Sequence, residues 1–186
     1  MSFDPLRADA AADAASQAND LPSPWRAMRA SDLPAVEALG NRIHATLPES
    51  PAVFAERCAL FPAGAWVAEH RDRLAGYALF HPWRSLSPPP LDSLLGNLPR
   101  DADTLYLHDV VVDPLRRSLG LAGAMIERLP AITRALSLPS IELVAVLGTA
   151  NFWRGHGFTA IDDPALAGPL EKYGEGACLM RRVVRL

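Results

Sequence analysis

Apolar residues recur every three or four positions at Leu33, Val36, Leu39, Ile43 and Leu47, marking one face of a helix. Ser31 offers an N-cap and Pro34 suits the first turn. A second helix is expected from Pro51 to about Phe61, opened by Pro51 and closed by Pro62. A short strand at 25–29 precedes these helices, and strands at 65–70 and 74–81 follow, the latter two joined by a tight turn at 71–73. Residues 104–112 are apolar on both faces apart from His108 and Asp109, which predicts a central strand. In that strand, simple alternation puts His108 on one face with Val110 and Val112, and Asp109 on the other.

The last third begins with a helix near Gly120 that buries Leu121, Met125, Leu129, Ile132 and Leu136. Pro130 lies inside that pattern, and at ~3 kcal/mol for an interior proline a kink or break is expected there. A strand at 141–147, a short helix at 150–155, a strand from Phe158 and a final strand at 177–184 complete the order. Helices interrupting one sheet make this an α/β chain, with a single domain over 25–186. Residues 1–24 lack apolar periodicity and read as a flexible extension with a transient helix around 8–18. The irregular stretch 82–102 is long for a compact domain, and such loops are more often functional than accidental.

Charge narrows the function. The net charge is −3 in 186 residues, and all of it comes from Asp4, Asp9, Asp13 and Asp20 against Arg7. The rest is neutral, with no basic stripe for nucleic-acid phosphates. No apolar run is long enough to cross a bilayer, and the N-terminus lacks a secretion signal. Cys58 and Cys178 stand apart without zinc-type spacing, which suits a cytoplasmic compartment. Lys172 is the only lysine among 18 basic residues, a bias expected of a bacterial source. The five histidines show no metal-ligand spacing, so no metal is expected.

The informative passage is strand, then Asp113-Pro114-Leu115-Arg116-Arg117-Ser118-Leu119-Gly120-Leu121-Ala122, then helix. A helix start presents unpaired N–H groups and partial positive charge, and small residues at Gly120 and Ala122 let an anion approach. The passage has neither the GK[ST] of a Walker loop nor a GxGxxG.

Here the sequence resembles the GNAT superfamily of N-acetyltransferases. Its [Q/R]-x-x-G-x-[G/A] signature after V-x-P is matched by Val112-Asp113-Pro114 and Arg117-Ser118-Leu119-Gly120-Leu121-Ala122. The F-Y-x-x-x-G-F landmark reads Phe152-Trp153-Arg154-Gly155-His156-Gly157-Phe158. The resemblance implies a single mixed, mostly antiparallel twisted sheet of six to seven strands flanked by helices. It implies acetyl-CoA, or a related acyl-CoA, as donor. The N–H groups from Arg117 to Ala122 would hold the pyrophosphate, with Arg116 adding charge or lying idle on the surface. Val110, Val111 and Val112 would run beside the pantetheine arm, an N–H near Val110 would polarise the thioester carbonyl, and Asn151 and Trp153 would complete the cofactor site.

The resemblance also implies direct transfer to an amine, with a base or a water chain to deprotonate it. Family members often carry a carboxylate at the position of His108. This histidine reads either as the base or as a buried structural residue, with His81 as its rival. His44 and His156 read as helix-surface residues, and His70 as a strand end. The usual acid is a tyrosine where this chain has Trp153, whose indole is no useful acid. Tyr173 and Tyr106 are the substitutes, unless the thiolate leaves unprotonated. The implied partners are a small-molecule or peptide amine, without nucleic acid or membrane, and a homodimer is compatible with them. The alternative is a non-catalytic acyl-CoA-binding or regulatory domain. Neither the GxSxG of hydrolases nor the HxxxD of the other CoA-acyltransferase group is present.

Overall fold

The computed structural model describes residues 24–185. The extension expected at 1–24, with its helix at 8–18, lies almost wholly outside them. Strand β1 (Trp25–Ala27) leads into helix α1 (Leu33–Ile43), and α2 (Pro51–Leu60) follows. Strands β2 (Ala65–His70), β3 (Arg73–Trp83) and β4 (Thr104–Val112) then form a meander. Helix α3 (Leu121–Ala135), strand β5 (Ser140–Ala145), helix α4 (Ala150–Gly155), strand β6 (Thr159–Ala160), helix α5 (Ala167–Leu170) and strand β7 (Cys178–Val183) complete the fold. The seven-stranded sheet runs β1-β2-β3-β4-β5-β7-β6. Every pair is antiparallel except β4 with β5.

Two cores flank the sheet. On one side Val36 and Leu39 of α1 and Phe54 of α2 pack on Val67, Tyr77, Leu79 and Val111. On the other, Leu121, Met125, Ile126, Leu129 and Ile132 of α3 pack on Trp66, Phe80, Leu105 and Leu107. Trp25 ties the first strand to the start of α3, its indole N–H donating to Leu121 O at 3.1 Å. Helix α3 continues through Pro130 without the break that was one of the two expected outcomes. Its buried flank at Ile126, Leu129 and Ile132 outweighs the missing donor, and the Thr133 hydroxyl bonds Leu129 O at 2.7 Å.

Strand β4 carries a bulge. Leu79 pairs with Asp109 while Phe80 pairs with Leu107, so His108 is the extra residue. Val110 and Val112 pack with Leu107 on the α3 side, whereas Val111 belongs to the α1–α2 core. His108 bonds Glu49 and Asp109 bonds Tyr77, so both project toward α1 and α2. The expected face-sharing of His108 with Val110 and Val112 is therefore wrong, because the bulge resets the alternation.

Asp109 joins three elements: Tyr77 OH donates to Oδ2, and His44 Nε2 lies 3.2 Å from Oδ1. His44 caps the C-terminal end of α1 and is not the surface residue expected. The Asp109 hydrogen bond raises the His44 pKa above 6.5 against the pull of burial, with the charges of Asp109 and Glu49 adding to the rise. A raised pKa means stability that is full below the ordinary histidine range and lost as pH rises through the raised value. The thermal midpoint of His44→Gln should therefore fall further below wild type at pH 6 than at pH 9. An equal deficit at both would remove this ion pair as a source of stability. A separate steric constraint holds at Gly64, where a Cβ would lie 1.9 Å from Phe80 O. Gly64→Ala should cost roughly 1–3 kcal/mol, read as a lower denaturation midpoint at unchanged slope.

Candidate active site

Strands β4 and β5 pair only at Leu105–Ile141 and Tyr106–Glu142, and beyond that their edges line a cavity of about 710 Å³. Leu107 to Val112 form one wall and Leu143, Val144 and Val146 the other. Backbone direction along β4 follows from the ladder. Asp113 N–H donates to Ala75 O at 2.9 Å, so by antiparallel alternation the peptide groups of Val111 also face β3. Those of Val110 and Val112 face the cleft, offering a strand edge to an extended ligand. Val111 lines the cavity, but its backbone is spent on β3.

At one end lies the turn Pro114–Leu119, a 3₁₀ helix capped by the Asp113 carboxylate, which accepts from Leu115 N–H at 2.9 Å. Such a turn uses its own N–H groups internally. Gly120 has φ +68° and turns the chain into α3, whose first bond runs from Ala124 N–H to Gly120 O at 3.0 Å. The N–H groups of Leu121, Ala122 and Gly123 precede that bond and emerge from the helix start. This donor set is narrower than Arg117 to Ala122, beginning four residues later and ending one later. Arg117, Gly120, Ala122 and Gly123 line the cavity; Ser118, Leu119 and Leu121 do not. The room around Gly120 admits a close anion, since a Cβ there would meet nothing within 4 Å.

Helix α4 forms the adjoining wall. Phe152 stands edge-on to both Trp153 and His156, and all three line the cavity. His156 is thus a wall residue and not the surface residue expected. Trp153 is 9% exposed, and its indole N–H has no partner among the described residues. Asn151, expected in the cofactor site, is outside the lining and accepts from Arg154 at 2.6 Å.

The other end holds the titratable groups. His108 Nε2 lies 2.9 Å from Glu49 Oε2, both side chains being less than one-tenth exposed. In the neutral tautomer whose Nε2–H donates to that carboxylate, the lone pair lies on Nδ1, which has no partner among the described residues. Burial opposes ionisation of Glu49, but the hydrogen bond from His108, aided by Asp92 N–H and the Arg57 charge, prevails and holds its pKa below the usual range. Glu49 is placed by Asn41, whose amide accepts from Glu49 N–H at 3.0 Å and donates to Glu49 O at 3.1 Å. Glu49, His44 and Asp109 went unnoticed as site residues in the sequence. Glu49 sits in the turn Leu47-Pro48-Glu49-Ser50-Pro51, with no motif to single it out.

Tyr173 lines the cavity, yet its hydroxyl donates to Pro89 O and lies 3.5 Å from Tyr106 OH. Burial foremost raises its pKa. That arrangement makes it a clamp between two loops. His81 lies outside the lining: it is 1% exposed, with Nδ1 on Pro82 O at 3.1 Å. Burial, aided by the Arg57 charge, pushes its pKa well below 6.5. The cavity lining therefore favours His108 over His81 as a base.

A model of the Acetyltransferase (GNAT) family matches residues 29–158. Solved structures agree on the fold. A Mycobacterium tuberculosis protein in complex with CoA is 22% identical, with a TM-score of 0.64 over 87% of this chain and 99% of that one. The ribosomal-protein-S18-alanine N-acetyltransferase from Escherichia coli is 18% identical, with a TM-score of 0.60 over 87% and 94%. The loading GNATL domain of CurA from Lyngbya majuscula is 13% identical, with a TM-score of 0.69 over 86% and 96%. No curated protein matches the sequence. With its family match spanning more than half the chain, this protein belongs to the GNAT acetyltransferase family.

Proposed function

We propose that this protein is an N-acetyltransferase that moves an acetyl group from acetyl-CoA to an amine held beside His108. The observation that carries this reading is the Glu49–His108 pair, facing the same cavity as the α3 start and the free edge of β4. Acetyl-CoA supplies the activated acyl group. The N–H groups of Leu121, Ala122 and Gly123, with Arg117 beside them, suit its pyrophosphate. The cleft-facing peptide groups of Val110 and Val112 suit the pantetheine amides, and Val110 N–H suits the thioester oxygen. Trp153 offers packing and one donor to the same arm.

His108 Nδ1 accepts the proton that the amine loses, while Glu49 fixes the tautomer and steadies the imidazolium. No side chain is assigned as the acid. The Trp153 indole N–H is too weak an acid, and the Tyr173 proton is engaged with Pro89 O. A thiolate with a pKa of ~8.5 leaves tolerably near neutral pH, and His108 returns its proton to solvent. The missing tyrosine also motivates a second reading, a CoA-binding domain without turnover.

An amine panel with acetyl-CoA, read by thiol release, separates the two. His108→Ala should lower kcat by about 10²–10⁴-fold with CoA affinity kept. Unchanged turnover in that variant removes His108 as base; saturable CoA binding with no turnover on any amine supports the binding domain. Gly120→Glu places a carboxylate near the pyrophosphate and a Cβ at φ +68°. It should weaken CoA binding at least tenfold by calorimetry, and an unchanged Kd would relocate the pyrophosphate site.

A further inference from the structure

The bulge that turns His108 and Asp109 the same way places two carboxylate–imidazole pairs side by side on the α1–α2 face of β4. Glu49 is joined to His108 and Asp109 to His44, and all four side chains line the cavity. Both imidazoles already have a nitrogen engaged with a carboxylate. Among the described residues the only guanidinium in the lining is Arg117, and it belongs to the other end. From His108 to Val112 the strand advances about 13 Å, and the turn to Arg117 lies beyond that.

The guanidinium that belongs to this end, Arg57, does not line the cavity. It is 3% exposed, with Nη1 on Glu56 at 2.9 Å and Nη2 on Ser93 O at 3.0 Å. Glu49 and Glu56 thus face Arg57, while Glu49 and Asp109 face His44, a second cation when it is protonated. With His108 in the neutral form that serves as base, one negative charge remains over. A carboxylate brought here would lose its water beside Glu49 and Asp109, with no free cation among the described lining residues at this end to replace it, a costly burial. An ammonium meets the opposite situation. Apart from the Tyr173 phenol, whose proton is engaged with Pro89 O, the remaining surface at this end is apolar, contributed by Ile43, Leu47, Leu91 and Leu107.

We infer that the acceptor is a primary amine on an apolar body with no carboxylate beside the nitrogen, drawn in by Glu49 and Asp109. This rests on the acetyltransferase reading and deepens it. Free α-amino acids are excluded as good acceptors. Their decarboxylated or amidated counterparts fit.

The test uses the full chain with acetyl-CoA and matched acceptors built on the phenylalanine, leucine and tryptophan side chains. Each set holds the amine lacking the carboxyl group, the amino-acid amide and the free amino acid. Thiol release should give kcat/KM at least about 100-fold higher for amine and amide than for the free acid. Leu91→Arg, which adds a cation to this wall, should narrow the amide-to-acid gap at least tenfold, with its melting curve confirming that it folds. Free acids turned over within about threefold of their amides would overturn this inference and leave acetyl transfer standing. A gap untouched in folded Leu91→Arg would likewise refute this wall as the selecting surface. If no member of any set is turned over while CoA still binds, the acetyltransferase reading falls and this inference with it.

Discussion

One extra residue in β4 governs much of what this protein presents to a ligand. Two β4 residues oppose one β3 step at Leu79–Phe80, and His108 occupies the surplus position. Beyond it the strand's edge leaves β5, with which it pairs only at Leu105 and Tyr106. The bulge thus does two jobs. It helps open a cleft with a free backbone edge, and it turns two neighbouring polar side chains to one face. Without it, alternation would bury either His108 or Asp109 against the apolar α3 core, where neither finds a partner.

The elements around the bulge serve its polar pair. Helix α1 ends on His44, which meets Asp109, and the turn after it presents Glu49 to His108. Gly40 leaves room for the Tyr77 hydroxyl, to which a Cβ there would come within 2.5 Å. The apolar contacts of Val36, Leu39 and Phe54 hold this layer against the sheet. Packing energy thereby fixes hydrogen-bond geometry. Helix α3 does the corresponding work at the other end, its start anchored by Trp25.

Much of the fold was legible because its signals are local. The stripe of α1, the prolines bounding α2 and the apolar strand at 104–112 each carry their own period or punctuation. The turn into α3 was legible for the same reason, with Gly120 in the left-handed region. What stayed hidden depends on pairing between distant segments. The bulge exists only in the register of β4 on β3, so alternation misassigned the faces of His108 and Asp109. Glu49 becomes a site residue only when the α1–α2 turn reaches β4. Pro130 misled in the other direction, since its local penalty is overcome by the buried flank of α3.

The segment between β3 and β4 is pinned by Leu98 in the core and by a run of bonds to its main chain. Glu142 accepts from Leu86 N–H, Glu56 from Leu95 and Gly96 N–H, and Glu49 from Asp92 N–H. Arg57 and Tyr173 donate to the carbonyls of Ser93 and Pro89. The clamping groups sit on the scaffold, while the side chains of Leu91 and Leu94 take no part in these bonds. The loop can therefore exchange the residues it shows to the cavity without surrendering its shape. Mutation can rewrite what this protein accepts while the framework, and the ordering entropy already met in folding it, stay as they are.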